Sequence, residues 1–253
     1  MNYQEFMTKY DSLVFARLAA PFPAFNQVAF LDWCNNNRLS AYLNYVSYRE
    51  KVGRPSMTED DFYISGMHGF WIQHWLTDPR TNTFYGTFAE EFPELVKFFN
   101  SFGINNIDLV IATTWSPTAR ESEISEIADV MHFDERGFGI RTYANYENGG
   151  LEFRRLKNKA DAPIRTQRGT YLAQEDEMEH TVEGTFVSEP SFAWILNNHC
   201  AFHAPRKVGT DFDSKITFVI QGGNEPETYF DWDKLDSIVQ ESLDKYPEEA
   251  IWY

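Results

Sequence analysis

The sequence predicts an α+β fold with a mainly β core, a helical N-terminal region and a closing C-terminal helix. Three observations predict it. Residues 1–106 carry apolar side chains largely at helical spacing; residues 107–223 carry short runs rich in Ile, Val, Thr, Phe and Tyr; residues 224–253 return to a helical stripe. A chain of 253 residues, 43% apolar and 17% aromatic, forms one domain and fills a sizeable core without disulfides.

The elements follow in order. Between Val28 and Glu50, Phe30, Leu31, Trp33, Leu39, Leu43 and Val46 recur at spacings near three and four, which predicts a helix. Gly53 and Pro55 stop it. Ser56-Met57-Thr58-Glu59 matches a capping box and predicts a new helical start. The aromatic run Phe70-Trp71-Ile72-Gln73-His74-Trp75 reads as core packing in preference to a pocket lining. Residues 88–101 form a short amphipathic helix, interrupted at Pro93 and ended near Gly103.

Strands are expected at 107–114, 140–146, 170–173, 181–187, 192–196 and 215–220, punctuated by Gly, Pro, Asn and Asp. Many short strands with turn signals predict a sandwich or a barrel. Asn148-Gly149-Gly150 reads as a turn between strands. The hydrophilic stretch 157–180 reads as a long loop or lid. From Asp231 to Tyr246 the residues Leu235, Ile238, Val239 and Leu243 fall on one stripe and predict the closing helix.

A formal net charge of −16 repels phosphate backbones, so nucleic acid is disfavoured as a partner. The two cysteines, Cys34 and Cys200, form neither a disulfide framework nor a Cys-x-x-Cys pair, and the expected setting is reduced and cytoplasmic. The N-terminal residues show no signal peptide, and no run is long and apolar enough for a membrane helix. No Ser-His-Asp elbow, P-loop or dinucleotide fingerprint is present. The sequence carries no signal of oligomeric state.

The chemistry concentrates in one place. His132-Phe133-Asp134 sets a histidine and a carboxylate two residues apart, and on an extended segment such residues project to the same side. A distant second histidine completes a two-histidine, one-carboxylate face with open positions, the ligand set of non-haem Fe(II) oxygenases. His203 lies between two strand-like runs, with His199 as its rival. A structural zinc built from His199, Cys200 and His203 lacks a full ligand set. Arg154, Arg155, Arg165 and Arg168 read as a solvated face before they read as an anion grip.

The segment VMHFDERGFGIRTYANY, followed by SFAWILNNHCAFHAPRKVGTDFDSKITFVIQ, resembles the 2-oxoglutarate-dependent dioxygenases, and among them the aspartyl/asparaginyl β-hydroxylase-like branch. That branch shows a histidine, an arginine nine residues later at the start of a strand, a tryptophan-containing strand, a second histidine and a last strand opening with arginine. His132 and Arg141 keep the spacing, Trp194 to Asn198 match the tryptophan strand, and His203 matches the distal histidine. The resemblance covers roughly residues 107–221. Two departures stand out. Lys215 replaces the arginine of the last strand, twelve residues after His203, and a lysine lacks the bidentate fork of arginine. Asp134 supplies a carboxylate that some members of the branch lack, which favours hydroxylation over halogenation.

The resemblance implies a double-stranded β-helix (a jelly-roll, cupin-like core). It implies Fe(II) held by His132, Asp134 and His203, with 2-oxoglutarate and O2 as cosubstrates. Arg141 and Lys215 would meet the cosubstrate's carboxylates, with Arg206 and Lys207 as competing candidates for the role of Lys215. The expected reaction hydroxylates an unactivated C–H of an amino acid or a peptide side chain and releases succinate and CO2. Two alternatives stay open: a cupin-type metal enzyme that does not use 2-oxoglutarate, and a non-catalytic jelly-roll binding module.

Overall fold

Asn2 and Glu5 open the chain with a reciprocal cap. The Glu5 amide donates to Asn2 Oδ1 at 2.9 Å, and the Asn2 amide donates to Glu5 Oε2 at 2.8 Å. Two free helix donors are thereby satisfied, and α1 runs over Tyr3–Lys9. The computed structural model describes residues 1–51, 58, 71–78, 83–102, 109–115, 132–134, 138–144, 150–156, 164–165, 170–172, 178–182, 193–197, 202–206, 216–221 and 230–252.

After α1 come β1 (Leu13–Arg17) and the long α2 (Gln27–Lys51). The expected stop at Gly53 and Pro55 and the expected capping box at 56–59 lie outside the described residues, apart from Thr58, which is in neither helix nor strand. Next are β2 (Trp71–Trp75), β3 (Thr77–Asp78) and β4 (Thr83–Phe84). Two short helices follow, α3 (Phe88–Glu91) and α4 (Pro93–Asn100). The break between them falls at Phe92, because Pro93 lacks an amide hydrogen and takes the first helical position of α4.

Ten further strands follow: β5 (Leu109–Trp115), β6 (His132–Asp134), β7 (Phe138–Ala144), β8 (Gly150–Leu156), β9 (Ile164–Arg165), β10 (Thr170–Leu172), β11 (Met178–Val182), β12 (Ala193–Asn197), β13 (Phe202–Arg206) and β14 (Ile216–Gln221). The chain closes with α5 (Trp232–Lys245), a short 3-10 turn at Pro247–Glu249, and β15 (Ala250–Trp252). Asp231 caps α5 by accepting from the Lys234 amide at 3.1 Å. Leu235 and Val239 of the expected stripe are buried, and Ile238 and Leu243 pack against the core.

The strands form a seven-stranded sheet in the order β15-β1-β12-β7-β14-β5-β2 and a six-stranded sheet in the order β11-β8-β13-β6-β10-β9, with β3 and β4 as a separate pair. Every pairing is antiparallel. From β5 to β8, and again from β12 to β14, successive strands alternate between the two large sheets.

Several expectations are corrected here. The region 1–106 is not a helical unit set before the sheet. Its β1 and β2 are members of the seven-stranded sheet. β1 is a run of four buried residues and one partly buried one, too short and too uniformly apolar to show a period. The stretch 157–180 is not simply a loop, since it holds β9, β10 and the start of β11. β8 and β13 were not expected, because Arg154, Arg155 and Arg206 dilute their apolar pattern. The tail is not only a helix, since β15 pairs with β1. The expected strand 181–187 starts earlier, at Met178 of β11, and its residues 183–187 lie outside the described residues. Of the expected turn at Asn148-Gly149-Gly150, only Gly150 is described, as the first residue of β8.

One face of the seven-stranded sheet meets the helices. Register puts Ile140, Ile195, Phe218 and Ile220 on that face, and all four are fully buried in the main core cluster. Phe218 is its hub: its ring lies 5.1 Å from Phe30 and 5.5 Å from each of Phe22, Phe25 and Phe99. Tilted and edge-to-face arrangements of this kind are favoured between aromatic rings. The other face is covered too. β12 is buried along its whole length, so its Trp194 and Leu196, which alternate with the core-facing residues, are buried on the far side.

Candidate metal centre

The site begins with register. Directly opposed residues of antiparallel strands have Cα atoms about 4.5–5.5 Å apart and project to one face of the sheet. His203 of β13 is the Cα partner of His132 of β6. Asp134 lies two residues along β6 and therefore shares the face of His132. The structure thus brings the three expected ligands to one face of two adjacent strands. β10 closes the far side of β6, with Leu172 opposite His132 and Thr170 opposite Asp134.

Phe153 stands opposite His203, Leu151 opposite Pro205, and Ile164 opposite Leu172, and the charged pair Arg155 and Glu179 lies on the same face. The reverse face mixes Glu152, Arg154, Arg165, His180 and Arg206 with Phe133, Leu156, Tyr171, Met178 and Phe202 by the same registers. The two histidines and the carboxylate share one face. Their placement is a backbone finding. Among the described residues, no group of three His, Cys, Asp or Glu side chains forms a metal-holding cluster.

Arg141 belongs to the other sheet. It sits in the middle of β7, not at the start of a strand as the resemblance implies, because β7 begins at Phe138. Its Cα partners are Trp194 of β12 and Val219 of β14. Arg141 therefore lies on the face opposite Ile140 and Phe218, the face turned away from the helical core. Tyr143 shares that face, as expected, and pairs with Thr217. Trp194 is 6% exposed, and its ring meets Phe15 edge-on at 5.5 Å.

Lys215 lies outside the described residues, immediately before β14, as do its rival Lys207 and the alternative ligand His199. Arg206 is described, and register separates it from the metal face. It stands opposite Gly150, on the reverse side from His203 and Pro205. The sequence offered no signal for this separation, since β8 and β13 were not legible there. Trp71 to Trp75 form β2, the edge strand beside β5. Cys34 is buried. No helix among the described residues is long and apolar enough to cross a membrane.

Comparison with known proteins finds no matching family model, no matching curated protein and no matching solved structure.

Proposed function

We propose that this chain is an Fe(II)- and 2-oxoglutarate-dependent oxygenase that hydroxylates an unactivated C–H of an amino acid or peptide side chain. The observation that carries the reading is the pairing of His132 with His203, with Asp134 on the same face. Two imidazoles and one carboxylate suit Fe(II) and leave coordination positions for a chelating cosubstrate and oxygen. The proposed architecture is a double-stranded β-helix. The alternation of strands between two antiparallel sheets supports it, as does burial on both faces of β12.

In this reading His132, Asp134 and His203 hold the iron. Bound there, iron supplies the oxygen-activating chemistry that couples decarboxylation of 2-oxoglutarate to hydroxylation, with succinate and CO2 released. Arg141 and Lys215 neutralise the two carboxylates of the cosubstrate through charge-assisted hydrogen bonds. The position of Arg141 supports its part, because it lies on the sheet face turned away from the helical core.

The test is anaerobic addition of Fe(II) and then 2-oxoglutarate. A weak visible charge-transfer band is expected, followed by succinate release when air and a substrate are admitted. Iron binding without the band would turn the reading to a cupin-type metal enzyme that does not use 2-oxoglutarate. Failure to bind any divalent metal would turn it to a binding module.

A further inference from the structure

Three adjacent strands set one row of residues on the face of Arg141. Arg17 of β1 is the Cα partner of Trp194 of β12, and Trp194 is the Cα partner of Arg141 of β7. Directly opposed residues share a face, so a tryptophan stands between two arginines whose strands lie roughly 10 Å apart. The outer arginine is fixed by the end of the chain. Arg17 Nη1 donates to Glu249 Oε1 at 2.7 Å, and its guanidinium lies 4.1 Å from the centre of the Tyr246 ring, where the ring quadrupole attracts a cation. The segment that carries Tyr246 and Glu249 is itself tied down. Ala250 and Ile251 of β15 pair with Ala16 and Phe15 of β1, and Lys245 Nζ donates to the Ala19 carbonyl at 3.0 Å. Trp194 is buried, and the same strand β1 sets the Phe15 ring edge-on to its indole.

We propose that Trp194 is a positioning residue for Arg141, and that the C-terminal segment 246–252 holds Trp194 in place through Arg17. The proposal rests on the oxygenase reading and extends its cosubstrate site to β1 and β15, which lie outside the stretch that carries the resemblance. An arginine has many side-chain states, and freezing them on binding costs affinity. A rigid flat neighbour removes some of those states beforehand, and an indole face also attracts a guanidinium. Of the two cross-strand neighbours of Arg141, Val219 offers no such face and Trp194 does. Glu249 offsets the charge of Arg17. Arg17 therefore supports the indole by its shape and leaves the cosubstrate carboxylate to Arg141. His132, Asp134 and His203 belong to the six-stranded sheet, and no member of the row does. Loosening the C-terminal segment should therefore weaken 2-oxoglutarate and spare iron.

The experiment titrates the whole chain, loaded with Fe(II) without oxygen, with 2-oxoglutarate and reads the charge-transfer band. Trp194→Leu is expected to weaken 2-oxoglutarate by about tenfold and to leave Fe(II) affinity within about twofold. Trp194→Phe should recover part of the loss, because an aromatic face remains. Arg17→Gln and Glu249→Gln should each weaken 2-oxoglutarate by about threefold, the scale of one partly exposed ion pair. The decisive comparison is made in Arg141→Ala, where adding Trp194→Leu should cost nothing more, since its effect passes through the side chain already removed. A loss of equal size with and without Arg141 overturns the proposal and makes Trp194 act independently. Equal losses of Fe(II) and 2-oxoglutarate affinity in Trp194→Leu also overturn it and reduce Trp194 to a support of the fold. Should Trp194→Leu fail to fold, Glu249→Gln carries the test with and without Arg141, and an unchanged 2-oxoglutarate affinity there overturns the role of the C-terminal segment. Unchanged affinity in Arg141→Ala alone overturns the proposal and leaves the oxygenase reading standing. A wild-type protein that binds iron and shows no band fails at the earlier step, and the oxygenase reading falls with the proposal.

Discussion

His203 and His132 are Cα partners on the adjacent antiparallel strands β13 and β6. A slip of one residue in this pairing would move His203 to the opposite face of the sheet. Iron affinity is therefore expected to depend on both histidines and not on the residue between the ligands of β6. His132→Ala and His203→Ala should each lower Fe(II) affinity by about a hundredfold or more, the upper range seen even for outer-sphere partners of a metal site. Phe133→Leu, on the reverse face, should leave it unchanged. Anaerobic titration with Fe(II) checks all three, and an unaffected His203→Ala would pass the ligand role to His199.

The cosubstrate cations make a second prediction. Arg206 stands on the opposite face from His203, so Arg206→Ala should leave 2-oxoglutarate affinity unchanged. Lys215→Ala should lower it by about tenfold or more, the loss expected for one hydrogen bond to a charged group. Lys215→Arg should retain it, since the guanidinium reaches a carboxylate with at least equal geometry. Titration of the charge-transfer band with 2-oxoglutarate reads the three variants. Loss in Arg206→Ala with none in Lys215→Ala would reverse the assignment.

The sequence made parts of this molecule legible for definite physical reasons. α2 and α5 carry apolar residues at helical spacing over many turns, and Pro93 marks a helix start by its missing amide hydrogen. β12 and β14 are dense in Ile, Leu, Phe and Val, so their existence was readable to within one or two residues. β8 and β13 were not, because Arg154, Arg155 and Arg206 dilute their apolar pattern. β1 and β15 were not, because three to five residues are too few to show a period. The candidate ligands were visible as His132-x-Asp134 and His203, but their pairing was not, because it depends on register between strands distant in the chain. For the same reason the row of Arg17, Trp194 and Arg141 had no sequence signal at all.

Phe218 links the seven-stranded sheet to the helices. Thr217 and Val219 flank it on the face of Arg141, while its own ring meets Phe22, Phe25, Phe30 and Phe99. Truncation would leave a cavity ringed by aromatic groups that cannot collapse into it. Phe218→Ala is expected to cost about 3–5 kcal/mol of stability, within the range for buried aromatic residues. Phe218→Leu should cost less, because it retains more of the buried volume. Urea unfolding followed by fluorescence measures both. A loss in Phe218→Ala below about 1 kcal/mol, the size of a typical substitution, would show that the hub repacks.

Cys34 is buried in α2 against the same core. Burial in apolar surroundings pushes its thiol pKa up, so the nucleophilic thiolate is scarce at neutral pH. Alkylation by iodoacetamide under native conditions is expected to leave Cys34 unmodified, while denaturation exposes it. Peptide mass analysis before and after denaturation decides the matter, and rapid native labelling of Cys34 would mean that α2 opens readily.

Asp236 of α5 gives a prediction with a defined pH window. Its Oδ1 accepts from Lys9 Nζ at 2.6 Å and from Tyr10 Oη at 2.5 Å, and Tyr10 Oη accepts in turn from Gln240 Nε2 at 2.7 Å. These bonds tie the first helix to the last. Burial pushes the Asp236 carboxyl up, but the hydrogen bonds from Lys9 and Tyr10 outweigh it and hold the pKa below its ordinary value. A lowered folded pKa means that the unfolded chain binds the proton more readily. The stabilisation is therefore fully present above the unfolded carboxylate value of about 3.9 and is lost as pH falls through the lower folded value. Lys9 has the opposite sign: the Asp236 hydrogen bond raises its pKa against a smaller cost of desolvation. Its share is present below the unfolded lysine value of about 10.4 and is lost as pH rises through the higher folded value. Asp236→Asn is expected to lower the Tm near neutral pH, with the gap from wild type closing as pH falls below about 4. Thermal unfolding at about pH 7, 5 and 3 follows the gap across this window. A gap that stays constant would place the contribution of Asp236 in hydrogen-bond geometry and not in its charge.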